Sequence, residues 1–309
     1  MQYLNDSKQY FMKHITTKFF ALVVLSVVLF TACKKVDEDK LNDGDDLQEM
    51  STDASVYFQE TEQIFNDISN AMEGSSLGKT GTIDGANIND STFIAFKRVV
   101  ITYTGPNLSG TRTRTGTATL QLTEGAKWSD IGSVLRIDFN NVRVTNNGNG
   151  NTITVNGTYY ARNVNGGKAF SDAQVVHKVW GNGSTTFGSG ETNAWFLNRE
   201  RTFTNNSGVL TISTRGDTTI AGKQNVIIWG TNRKGKPFWI QTDAAILLSS
   251  QCFGKVMSGR QLFSGLSAEF SVTHGVKADG TPNDTGCPFG YKVEWKNQKG
   301  ENKSAVISY

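Results

Sequence analysis

Two hydrophobic periods divide the chain. Between Asp46 and Glu73, the residues Tyr57, Thr61, Ile64, Ile68 and Ala71 recur at helical spacing, with Phe65 and Met72 beside them. That stripe predicts one amphipathic helix over 46–73, closed by Gly74 and the serines after it. Beyond Gly78 the period becomes two. Leu135, Ile137 and Phe139 alternate with Arg136 and Asp138, and Tyr291, Val293 and Trp295 alternate with Lys292, Glu294 and Lys296. Val99, Ile101 and Tyr103 do the same ahead of a turn at Gly105-Pro106. Half-buried antiparallel strands have this pattern. At Asn140-Asn141 the inward phase passes from odd positions to Val142 and Val144, which predicts a bulge or a bend.

Between the alternating runs stand Asn147-Gly148, Asn156-Gly157, Asn165-Gly166, Asn182-Gly183, Ser207-Gly208, Lys234-Gly235, Asp279-Gly280 and Lys299-Gly300. Such dipeptides tolerate the positive φ of tight hairpins and are read here as turns. They leave about a dozen strands after Thr92, with no helix long enough for a parallel crossover. The expected fold is mainly β: a long antiparallel meander over about 79–309, with the N-terminal amphipathic helix packed on it in a single domain, 46–309. A curved sheet, a sandwich and a barrel all fit this pattern.

Composition agrees. Hydrophobic residues are 37% and charged residues 19%, below the usual roughly 45–50% and 25%, and the chain holds 32 glycines but only 4 prolines. A coiled coil, a highly charged disordered chain and a compact helical enzyme are disfavoured. Charge is split rather than balanced. From Cys33 to Glu73 twelve acidic residues face three lysines, a net of −9, while Gly74 to Tyr309 carries +10.

The first residues carry an address. Lys13, His14 and Lys18 precede an apolar run from Phe19 to Phe30, about 18 Å long as a helix against a hydrocarbon core of ~30 Å. This reads as a secretory signal over 1–32, with Met12 a second start that would give a leader of ordinary length. The run closes on Phe30-Thr31-Ala32-Cys33, which resembles the lipobox of bacterial lipoproteins. The resemblance implies that Cys33 is joined to diacylglycerol, becomes the mature N-terminus and anchors the protein to a lipid bilayer. The acidic stretch 33–45 is a flexible tether, and it resembles the export signal of surface lipoproteins in Bacteroidota-type bacteria. The location it implies is the outer membrane, facing the exterior.

With Cys33 given to lipid, Cys252 and Cys287 form an even pair outside the cytoplasm, where a disulfide is the default and two buried thiols are the alternative. No metal site and no cofactor are indicated. His177 and His274 stand on separate strands without ligand spacing and are expected half exposed. A lone histidine and a serine in one chain carry no triad signal, and Asp138, Glu269 and Glu294 each fall on the polar side of a strand. Arg233-Lys234-Gly235-Lys236 reads as a solvated turn, and nothing supports nucleic-acid binding. Six tryptophans in a Thr- and Asn-rich β-domain suggest aromatic platforms for sugar rings. Trp128, beside Gly125, and Trp180, beside Gly181-Asn182-Gly183, are the candidate ligand-binding residues.

Several short segments resemble an uncharacterised group of Bacteroidota-type lipoproteins with a lipobox, an acidic linker, one helix and a long β-domain. They are Thr82-Ile83-Asp84-Gly85, Gly110-Thr111-Arg112-Thr113-Arg114-Thr115-Gly116, Gly235-Lys236-Pro237-Phe238-Trp239, Cys252 with Ser258-Gly259, and Gly286-Cys287. The resemblance implies location and architecture, and no activity. The expected function is ligand binding, best a glycan, or interaction with an envelope protein. A secreted glycan-active hydrolase and a structural subunit of an envelope complex are the alternatives.

Overall fold

The computed structural model divides the chain into two units, Met1–Asn42 and Asp43–Tyr309. The residues described are 45–75, 83–107, 110–148, 150–252, 255–265, 269–297 and 299–309, all in the second unit. The expected signal peptide, Cys33 and nearly all of the acidic tether lie outside them.

Among the described residues a single long helix, α1 (Asp45–Ser75), precedes β1 (Ala86–Asn89), a one-turn helix α2 (Phe93–Phe96), and β2 (Arg98–Pro106). The chain then runs as a meander through β3 (Arg112–Glu124), β4 (Val134–Asn146), β5 (Thr152–Asn163), β6 (Gln174–Phe187) and β7 (Thr192–Asn206). After β8 (Val209–Gly216) and β9 (Thr218–Ile220) come β10 (Lys223–Thr231), β11 (Pro237–Ser249), β12 (Val256–Ser264), β13 (Phe270–Val276), β14 (Gly290–Lys296) and β15 (Asn302–Ser308). All ladders are antiparallel and belong to one sheet. The fold is therefore mainly β with one long N-terminal helix, as the two periods predict.

The meander has one irregularity. Strand β7 pairs with β10 over Ala194–Leu197 and with β8 over Arg199–Asn206, and β11 divides its other edge between the same two strands. So β8 and β10 share one lane, end to end, and the chain leaves that lane between them to form β9. The bulge expected at Asn140-Asn141 is present: the β4–β5 register slips between Phe139 and Val142. Asn141 has a φ of 50°, and its amide donates to the side chain of Asn156 at 2.8 Å.

The sheet curves around α1. The helix's predicted stripe is buried, and so are Met50, Ala54 and Phe58, together with the polar Ser51, Asp53, Glu60, Glu62 and Ser69. A sheet that wraps its helix leaves a narrow solvent strip, so the apolar face is far wider than one stripe. Partners come from distant lanes. Tyr57 stacks on Trp195 of β7, with ring centroids 4.5 Å apart, and its hydroxyl lies 3.0 Å from that of Tyr159 on β5. Phe65 meets Phe139 and Tyr159 edge-on. No ladder joins β1 to β15 among the described residues.

The charge split noted in the sequence is resolved across this interface. Acidic residues of α1 meet arginines on the strand faces turned towards it. Glu60 pairs with Arg112 at 2.6 Å, Asp67 with Arg114, and Asp53 with Arg233. Glu62 sits between Arg199 and Arg201, the latter at 2.8 Å, with all three at most 1% exposed. These guanidiniums also lie over Phe65 and Phe203 at 5.0 and 4.8 Å, a favourable place for a cation. Of the basic turn, Lys234, Gly235 and Lys236 are exposed as expected, whereas Arg233 reaches back to the helix.

The cysteine pair is a disulfide. Cys252, in a short 3-10 turn after β11, is bonded to Cys287 with Cα atoms 5.3 Å apart. It fixes the loop ahead of β14 to the end of β11.

Candidate outer-face binding site

The strand face away from α1 carries the remaining aromatic residues in rows set by register. Tyr160 on β5 is opposite Trp180 on β6, which is opposite Asn198 on β7. Two residues along, Asn182 is opposite Phe196, which is followed laterally by Trp229 on β10, Trp239 on β11 and Ser264 on β12. The alternation that buries Trp195, Leu197, Ile228, Phe238 and Ile240 turns these neighbours outwards. Tyr160 stacks on Trp180 at 5.7 Å, and Phe196 on Trp229 at 5.6 Å. Phe196 is 42% exposed and the other three are half-buried. Each pair covers one face of each ring, and the amides of Asn182 and Asn198 lie between the two pairs.

Beside this strip is a depression of about 320 Å³ lined by Asn156, Thr158, Asn182, Ser184 and the backbone of Gly157 and Gly183. Asn156-Gly157 and Asn182-Gly183 are therefore not hairpin turns. They are mid-strand and face each other, Gly157 opposite Gly183. On the inner side a Cβ at Gly183 would stand 2.5 Å from the Tyr159 hydroxyl, and one at Gly181 2.9 Å from its ring. The glycines clear the space in which Tyr159 lies to reach Tyr57.

The strip leads into the larger feature of this face, a groove of about 610 Å³ across β11–β15. Its floor is one register row: Gln241, Leu262, Ser271, Glu294 and Ser304. Lys223, Arg260, Glu269, Lys296 and Lys303 also line it. Lys223 lies over the Trp239 ring at 5.9 Å and 3.3 Å from Glu269. Arg260 pairs with Asp243 at 2.9 Å, and Glu294 with Lys292 at 2.7 Å.

Of the two tryptophans singled out from sequence, only Trp180 is on this surface. Trp128 is buried at 2% exposure with its ring 4.9 Å from that of His177, so it has no open face to offer a ligand. Trp239 is out of phase with the buried Phe238 and Ile240, a signal the local alternation carries, whereas Trp229 follows the unbroken buried run Val226-Ile227-Ile228 and has no such mark. His177 and His274 are buried rather than half exposed. Burial next to Arg201 pushes the His177 imidazole down to about 3, and burial brings His274 to about 4.

Glu269 and Glu294 both line the groove, whereas Asp138 is elsewhere, held by Arg136 and Thr158. Glycosidic general acids are ordinarily desolvated carboxyls. The side chains of Glu269 and Glu294 are 72% and 39% exposed, each against a lysine. That arrangement suits a polar contact surface better than proton transfer.

The chain matches no protein-family model, no curated protein and no solved structure.

Proposed function

We propose that this is a lipid-anchored, non-enzymatic lipoprotein of an outer membrane that binds carbohydrate on the outer face of its sheet. The observation carrying the ligand class is the aromatic and amide strip of Trp180, Asn182, Phe196 and Trp229 opening onto a polar groove. Aromatic rings stack on the apolar faces of sugars while amides and charged groups bond their hydroxyls. The lipobox-like Phe30-Thr31-Ala32-Cys33 supports the anchor and the location.

A glycan array probed with the purified protein is expected to give binding that falls about tenfold or more in Trp180→Ala and Trp229→Ala, roughly the loss of one stacking contact together with its hydrogen bonds. A silent array, or binding indifferent to both substitutions, would remove the carbohydrate reading. The anchor is tested separately by fractionation. Cys33→Ser should shorten the list of membrane-held species by one, and intact mass of the native protein should show acyl chains on Cys33; a bare thiol there would refute the anchor.

A further inference from the structure

The groove has a charge pattern that an uncharged sugar does not need. We propose that it is built for an acidic polysaccharide, one carrying carboxylate or sulfate groups; this rests on the carbohydrate reading above. Four cationic side chains, Lys223, Arg260, Lys296 and Lys303, line the groove against two carboxylates, Glu269 and Glu294. They are spread from β10 to β15 rather than gathered at one point. Six lanes at the usual strand spacing span about 24 Å, the reach of an extended oligosaccharide and not of a single small anion.

The cations are also available. Lys296 has no ion-pair partner among the described residues and stands opposite Asn302. Lys223, Arg260 and Lys303 are held by Glu269, Asp243 and Glu301 in surface pairs with separations of 3.3, 2.9 and 3.0 Å. Exposed pairs of this kind are worth little, typically under about 1 kcal/mol, so a ligand anion can take the place of the protein carboxylate at small cost. Between the cations the floor offers neutral partners, Gln241, Ser271 and Ser304, for hydroxyl groups. Trp239, with Lys223 above it, forms the margin where the groove meets the aromatic strip.

The test measures binding of the full chain to polygalacturonate, dextran sulfate and unmodified dextran at low and high salt. Binding to one or both acidic polymers, weakened at least about tenfold by salt, is expected, and the carboxylated and sulfated arms show which anion is preferred. The double substitution Lys296→Ala with Lys303→Ala should lower that binding about tenfold, Lys296→Arg with Lys303→Arg should retain it, and Lys127→Ala, outside the groove, should leave it unchanged. Equal, salt-insensitive binding to dextran would overturn the acidic specificity while leaving the carbohydrate reading intact. Equal loss in Lys127→Ala would overturn the groove as the site. Failure to bind any polymer, with a silent glycan array, removes both.

Discussion

Among the described residues Glu62 is the carboxylate that touches both buried guanidiniums, Arg199 and Arg201. Burial is the main influence on Arg201 and brings it down to about 10, still well above neutrality, so it remains a cation inside the fold. Asn66 accepts from the same guanidinium at 2.6 Å. Removing one partner from a buried ion pair usually costs about 3–5 kcal/mol, because the other charge is left without a counter-charge. Glu62→Gln is therefore expected to reduce the unfolding free energy by that order in urea titration, and an unchanged midpoint would show that the helix is not held by these charges. In the sequence Glu62 is indistinguishable from its acidic neighbours. Its role depends on strand residues more than 130 positions away, just as Arg233 depends on Asp53, 180 positions earlier. The expectation for Trp128 fails for a similar reason: a glycine nearby in sequence says little about whether a side chain points to solvent.

At the scale of elements, periodicity was the reliable guide. The alternation in β4 and β14, the phase change at Asn140-Asn141 and the bounds of α1 were all legible, because each is written in residues a few positions apart. Dipeptide turn signals were less dependable. Asn165-Gly166 lies in the loop after β5, whereas Asn156-Gly157 and Asn182-Gly183 lie inside strands. The pairs look alike locally, and what separates them is the ring of Tyr159, which needs the space that Gly181 and Gly183 leave. Conversely Ala221-Gly222, with φ of 51° and 77°, makes the tight turn between β9 and β10 without an Asn-Gly signature. The binding face was legible only in part. Its tryptophans were visible, but the groove arises from the side-by-side register of five strands, which no local pattern specifies.

For the molecule as a whole, charge is what links the two periods of the sequence. The acidic residues of α1 are not a solvated face, since Asp53, Glu60, Glu62 and Asp67 neutralise arginines on the enclosing sheet. The same enclosure sets the response to acid. His177 and His274, held to about 3 and about 4, stay neutral in the fold but take up protons near 6.5 once unfolded, so stability is lost as pH falls through that window. Glu73 opposes them. Burial raises it to about 7 from 4.5 despite its bonds to the Ala169 and Phe170 amides, so its contribution declines as pH rises between those values. Asp67, also raised by burial, acts in the same direction as Glu73, and the two imidazoles set the sign. The melting temperature is expected to fall from pH 6.5 to 4.5, and to fall more steeply in Glu73→Gln; a flat profile would contradict the burial of both histidines.

The position of α1 ahead of every described strand, yet enclosed by them, has a kinetic consequence. A polypeptide made from its N-terminus presents this helix before any strand that will enclose it, and the pairing of Asp53 with Arg233 waits for 180 further residues. Contacts so distant in sequence make for slow folding. Until β10 and β11 have emerged, Tyr57, Phe58 and Phe65 have no sheet to cover them, and a nascent chain in that state is open to aggregation.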